Sequence, residues 1–140
     1  MAKTKGLVIK ERTVGESDRL VTLLTADYGL VNAFVRNAKQ LKNKLSASTS
    51  LFAYCEFSIY QGRDANVVDN ATVIEMFFDL RSDIEKLAVA QYFAQLAYEL
   101  ANEGQPEEEM LSIILNSLHL LCKGGKSIVQ IKSVVEFRLM

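Results

Sequence analysis

The stretch Leu51-Phe52-Ala53-Tyr54-Cys55-Glu56-Phe57-Ser58-Ile59-Tyr60 decides the fold, because its side chains alternate with a period of two. Leu51, Ala53, Cys55, Phe57 and Ile59 fall on one face, and Phe52, Tyr54, Glu56, Ser58 and Tyr60 fall on the other. This is the pattern of a strand with one covered face. Downstream, Gln61-Gly62-Arg63-Asp64 turns the chain, and Ala65 to Phe77 supplies a last strand. Upstream, Gly6 to Val14, Arg19 to Ala26 and Leu30 to Arg36 read as three more strands. Gly15-Glu16-Ser17-Asp18 separates the first pair. Asp27-Tyr28-Gly29 joins the second, with Gly29 supplying a positive φ in a three-residue hairpin loop.

Five short strands with a non-strand insertion between the third and fourth give the element order of an OB-type barrel. After Phe78 the period becomes helical. Ser82-Asp83-Ile84-Glu85 reads as a capping box with Ser82 as the acceptor, and Val89, Phe93, Leu96 and Leu100 follow at helical spacing. Gly104 ends that helix, Pro106 takes the first position of the next, and Glu107 to Glu109 favour its positive end. Leu111, Ile114, Leu115, Leu118, Leu121 and Cys122 form its apolar stripe, Gly124-Gly125 stops it, and Ser127 caps a third helix. Val134, Val135, Phe137, Leu139 and Met140 give this last helix more apolar surface than two short partners cover. A chain cut from something longer accounts for that better than a buried final helix. The expected fold is therefore α+β: a five-stranded OB-type barrel over residues 1–78, then a small helical domain over residues 79–140.

Of the 140 residues, 49% are hydrophobic and 24% charged, enough apolar material for a real core and not the composition of a disordered chain. The Lys10-Glu11-Arg12 triplet leaves no room for a secretory apolar core. Cys55 and Cys122 stand far apart, which indicates neither a disulfide framework nor a zinc site, so a reduced cytoplasmic setting is expected. Signals for catalysis are poor. His119 lies among leucines and is structural or exposed beside their stripe; Cys55 falls on the core face of its strand and reads as a small hydrophobe. With no Gly-rich phosphate loop, metal-ligand spacing or Ser/His/Asp arrangement, the expectation is a non-catalytic protein without cofactor or metal.

The small net charge of −1 hides an asymmetry. Residues 1–65 carry ten Lys/Arg against six Asp/Glu, whereas residues 66–140 carry six against eleven. This gives a basic front end and an acidic rear, an imbalance of a few charges that many neutral domains share. Tyr28 to Cys55 contains no acidic residue, and Arg36, Lys39, Lys42 and Lys44 crowd into it, followed by Ser46, Ser48, Thr49 and Ser50. Cations interspersed with hydroxyls suit a phosphate backbone. A merely solvated loop has a similar composition, but the long absence of any carboxylate favours phosphate binding. Phe34 and Arg36 share a face of the third strand, and Tyr54 and Tyr60 share the polar face of the fourth, where rings can stack bases or instead cover a minor core. Arg19 either contacts phosphate or pairs with Asp18 or Glu16. The candidate nucleic-acid-binding residues are thus Arg19, Phe34, Arg36, Lys39, Lys42, Lys44 and Tyr54.

Three blocks resemble the RecO family of bacterial recombination mediators: Gly15 to Thr25 continuing through Gly29, Phe34 to Lys39 continuing to Leu45, and Phe78-Asp79-Leu80-Arg81 running into the Leu87–Leu100 helix. The resemblance implies an N-terminal OB domain and a helical domain. It also implies binding to single- and double-stranded DNA, and annealing of strands coated with single-strand binding protein. Partnership with that protein and with RecR, during recombinational repair on the bacterial nucleoid, follows from it too. The family's basic segment maps onto Arg36, Lys39, Lys42 and Lys44. Asn37 stands where the family has Gly, a change that a left-handed backbone tolerates. Asn43 and Leu51 replace a usual Ser and Pro. The family normally continues past the helix ending at Met140, often into a zinc-binding cysteine cluster, so a fragment or a reduced C-terminal half is expected. The alternative reading is a protein–protein adaptor whose barrel or helices capture an acidic peptide tail.

Overall fold

A computed structural model describes residues 2–37, 45–124 and 127–139. Five strands, β1 (Ala2–Val14), β2 (Asp18–Thr25), β3 (Gly29–Val35), β4 (Tyr54–Gln61) and β5 (Asn66–Glu75), form a closed barrel in the order β1-β2-β3-β5-β4. β1 closes it by pairing antiparallel with both β2 and β4, while β3 meets β5 in a short parallel pairing. The four-residue helix α1 (Leu45–Ser48) lies between β3 and β4. A 3-10 turn (Phe78–Ser82) leads to α2 (Ile84–Leu100), α3 (Glu108–Lys123) and α4 (Ile128–Leu139). The expected α+β class and OB-type strand order are both present.

Alternation builds the barrel interior. Val8, Val21, Leu23, Ala33, Val35, Cys55, Phe57, Ile59 and Val68 turn inward and form one buried cluster. The intervening residues face outward, and there the helices make a division. The cross-strand row Leu7–Leu24–Leu30 is buried beneath them, in a second cluster with Phe93, Ile114, Leu118 and Ile131. The next rows, Lys10–Thr22–Asn32 and Arg12–Leu20–Phe34, lie beyond the helices. The helices have no core separate from the barrel: their apolar stripes close on its wall.

The β2–β3 hairpin is bolted to the α2–α3 loop. Leu30 N–H donates to the Asn102 carbonyl (3.0 Å), Gly104 N–H to Tyr28 (2.8 Å) and Glu107 N–H to Ala26 (3.0 Å). Gly29 has the expected positive φ (67°), and a Cβ there would stand 2.0 Å from the Asn102 oxygen. Glycine is required twice, for the turn and for the close approach.

Several local expectations need correction. The cap of α2 is Asp83, whose carboxylate accepts from the N–H groups of Glu85 (2.9 Å) and Lys86 (3.3 Å); Ser82 belongs to the preceding 3-10 turn and donates to Asp79 instead. α2 ends at Leu100, well before Gly104, because the following residues leave to bind the hairpin. Glu107 is the residue preceding α3, so Pro106 lies outside the helix. Leu51 and Phe52 precede β4 in a turn, and Phe52 (φ 67°) joins the core under the helices. Ser127 does accept from the Gln130 N–H (3.1 Å), and Val129, Val134 and Phe137 leave α4 with an exposed apolar face.

Candidate nucleic-acid interface

The open part of the barrel wall is a groove assembled by strand register. Arg12 pairs with Leu20, Leu20 with Phe34, Phe34 with Val67 and Val67 with Tyr60, so one transverse row crosses all five strands. Two clefts meet along this row. One is walled by Lys10, Glu11, Arg12, Thr22, Asn32, Phe34 and Tyr98. The other is walled by Phe34, Arg36, Tyr60, Arg63 and Val67 together with Asp18, Asp64 and Asp69. Phe34 and the Asp64–Ala65 turn belong to both.

Phe34 is half-buried on the outer face of β3, flanked by the inward Ala33 and Val35, and Arg36 follows on the same side. Tyr60 is 57% exposed, leaving a ring face available for stacking. Tyr98 reaches the groove from α2, with the Lys10 ammonium 4.3 Å from its ring centroid. Lys10, Arg12 and Arg63 are in no ion pair with another described residue. Cations beside accessible rings on a strand surface are the chemistry that holds a phosphate backbone and its unstacked bases.

Arg19 occupies a different place. It is in register with Val35, on the inward side of β2, and its guanidinium turns to α1 at the barrel end. Nη1 donates to the Ser46 carbonyl (2.8 Å) and to Thr49 Oγ1 (3.0 Å), while Nε lies 3.9 Å from Glu11. Its ion-pair partner is therefore Glu11, neither Asp18 nor Glu16. Asp18 accepts from the Asn37 N–H (3.0 Å), and Asn37 has φ 56°, the left-handed conformation expected of an asparagine in a glycine position. The neighbours Asp18 and Arg19 thus hold Asn37 and Ser46 respectively. Lys39, Lys42 and Lys44, with Asn43, lie outside the described residues.

Tyr54 is also separated from the groove. It sits at the other end of β4 from Tyr60, about 20 Å along the strand, and packs partly buried against the core beneath the helices. Sequence reading missed Lys10, Arg12, Arg63 and Tyr98. Spacing of two places Lys10 and Arg12 on one strand face, a legible signal, but Tyr98 enters only through the packing of α2 on β1.

Cys55 is fully buried and donates to the Ser48 carbonyl (3.2 Å), a second tie on α1. Burial pushes its thiol up to about 11, against a smaller opposing backbone hydrogen bond at Ile74. His119 is exposed, with its ring edge-on to Phe77 at 4.8 Å. Among the described residues there is no cluster of potential metal ligands, and no helix is long and apolar enough to cross a membrane.

A family model described as recombination protein O N terminal matches residues 1–77, and one described as recombination protein O C terminal matches residues 81–140. The chain is similar to proteins named DNA repair protein RecO. That of Acetivibrio thermocellus is 38% identical over 138 residues, covering 99% of this chain and 55% of the relative. That of Caldicellulosiruptor bescii is 34% identical over 140 residues, and that of Alkaliphilus metalliredigens 30% identical over 140, each covering 100% of this chain and 57% of the relative. This chain spans little more than half the length of these relatives. Two matched segments in family order, on a barrel of OB-type strand order with a helical cover, place the chain in the RecO family.

Proposed function

We propose that this chain is a non-catalytic DNA-binding module of recombinational repair, which holds single strands, and duplexes, and promotes annealing of complementary strands. The row Arg12–Leu20–Phe34–Val67–Tyr60, flanked by Lys10, Arg36 and Arg63, carries the reading. It aligns rings and cations on the open wall of an OB-type barrel, the surface that this architecture uses for oligonucleotides. Lys39, Lys42 and Lys44 add a sequence-level cationic stretch directly after Arg36. Broadly sequence-tolerant binding follows, with room for modest base preferences, because the stacking and phosphate contacts themselves do not depend on base identity. Arg19 and Tyr54 are left out of the contact surface, Arg19 because it anchors α1 and Tyr54 because it packs under the helices. Names of the relatives support a repair role. Family membership likewise supports partnership with single-strand binding protein and RecR, to which no residues are assigned.

A salt titration of single-strand binding tests the reading. If Arg36, Lys39, Lys42 and Lys44 all engage phosphates, log affinity falls against log salt with a contribution of about −3 to the slope. Changing the four to Ala flattens the slope by that amount. Salt-independent binding, or none, rejects the proposal; an unchanged slope removes the basic segment from the interface.

A further inference from the structure

We infer that the Asn32 carboxamide reads the edge of an unpaired base, favouring the ring carbonyls of thymine over adenine. This rests on the nucleic-acid reading above and adds a selecting residue to it. Asn32 is exposed in the groove, on the same outer face as Phe34 and about 7 Å from it along the strand. Directly across the ladder, Thr22 is buried, and its hydroxyl donates to Asn32 Oδ1 over 2.7 Å. A hydroxyl has one proton to give. With that proton on Oδ1, Nδ2 and its two N–H groups are the end left for a ligand. No described residue accepts from Nδ2. Behind it, Asn66 Nδ2 donates to the Asn32 main-chain oxygen (3.3 Å), tying β3 to the start of β5.

A base stacked on Phe34 turns its edge toward a group one step along the strand, while Lys10 and Arg12 hold the flanking phosphates. Donors alone at that position suit a carbonyl oxygen. Adenine has none, and its N1 and N7 acceptors flank an amino group whose N–H opposes another donor. Thr22 is a positioning residue here, since it acts through Asn32.

The test is fluorescence anisotropy of the 140-residue chain with oligo(dT) and oligo(dA) of equal length, at low salt. Wild type is compared with Asn32→Asp and Thr22→Val. Homopolymers differ in their own stacking, so the decisive quantity is the change in the dT/dA affinity ratio. One directed hydrogen bond makes that ratio about five-fold larger in wild type than in Asn32→Asp. Thr22→Val frees the amide to turn Oδ1 outward, and lowers the ratio while oligo(dT) affinity stays within about two-fold; circular dichroism checks its fold. A ratio unchanged in both variants, with binding intact, overturns the inference alone. Failure of wild type to bind either strand rejects the nucleic-acid reading and this inference together.

Discussion

Arg19 Nη1 donates to the main-chain oxygen of Ser46 across 2.8 Å, fastening the start of α1 to the inner side of β2. The guanidinium is thereby committed to protein partners, including Thr49 and Glu11. Replacing Arg19 by Met should cost about 1–3 kcal/mol of stability, because the acceptors lose a charged donor. The salt slope of single-strand binding should stay as in wild type at temperatures where the variant is folded. A slope reduced by about one would make Arg19 a phosphate contact after all.

Phe34 and Tyr54 lie on the same outer surface of the barrel and differ in what covers it. Phe34→Ala should weaken single-strand binding by about 1–3 kcal/mol, the cost of one lost stacking platform. Tyr54→Ala should leave affinity unchanged and lower the unfolding midpoint, since its ring packs against the helical core. Anisotropy and thermal unfolding on the two variants separate these roles. Equal losses of affinity would contradict the division of the wall between groove and helices.

Gly29 and Gly15 provide a matched pair, with φ values of 67° and 65°. Alanine at Gly15 meets nothing within 4 Å and should cost only the left-handed backbone penalty of about 1–2 kcal/mol. At Gly29 the same methyl collides with the Asn102 and Gln105 carbonyls, at 2.0 and 2.5 Å, so the α2–α3 loop must lift away. Urea unfolding should find Gly29→Ala worse than Gly15→Ala by at least about 2 kcal/mol.

Cys55 links the barrel to alkaline pH. Its thiol is raised from 9.0 to about 11 in the fold, so the neutral form is favoured there. The stability this confers is complete below pH 9 and is lost as pH rises through about 11. Relative to Cys55→Ala, wild type should lose on the order of 1–3 kcal/mol over that window, read by urea unfolding at each pH. At neutral pH, thiol reagents should label the half-buried Cys122 well before Cys55.

The barrel is legible in the sequence because alternation is a strong signal where one face is covered, and β4 carries it through Cys55, Phe57 and Ile59. Phe52 breaks the pattern because a positive φ at that position redirects the chain, and nothing in an apolar residue announces this. Ser82 and Asp83 are both good caps, and only the 3-10 turn decides between them. Phe34 and Arg36 are identifiable from strand parity. Arg19 is not: its parity places it inside, yet a charged residue at a strand end looks exposed until α1 is seen to receive it. Tyr98 belongs to a helix far along the chain from Lys10, so no strand pattern or loop composition points to it. Helix packing alone brings its ring to the groove.

Leu7, Leu24 and Leu30 are the inner lining of the helical half as much as the outer skin of the barrel. A barrel expressed alone would expose this leucine row to water and seek self-association, while the helices alone would have nothing to close upon. Melting should accordingly occur as one event. The same leucine row, with the Leu30–Asn102 hydrogen bond, ties the helical half to the strand that bears Asn32 and Phe34.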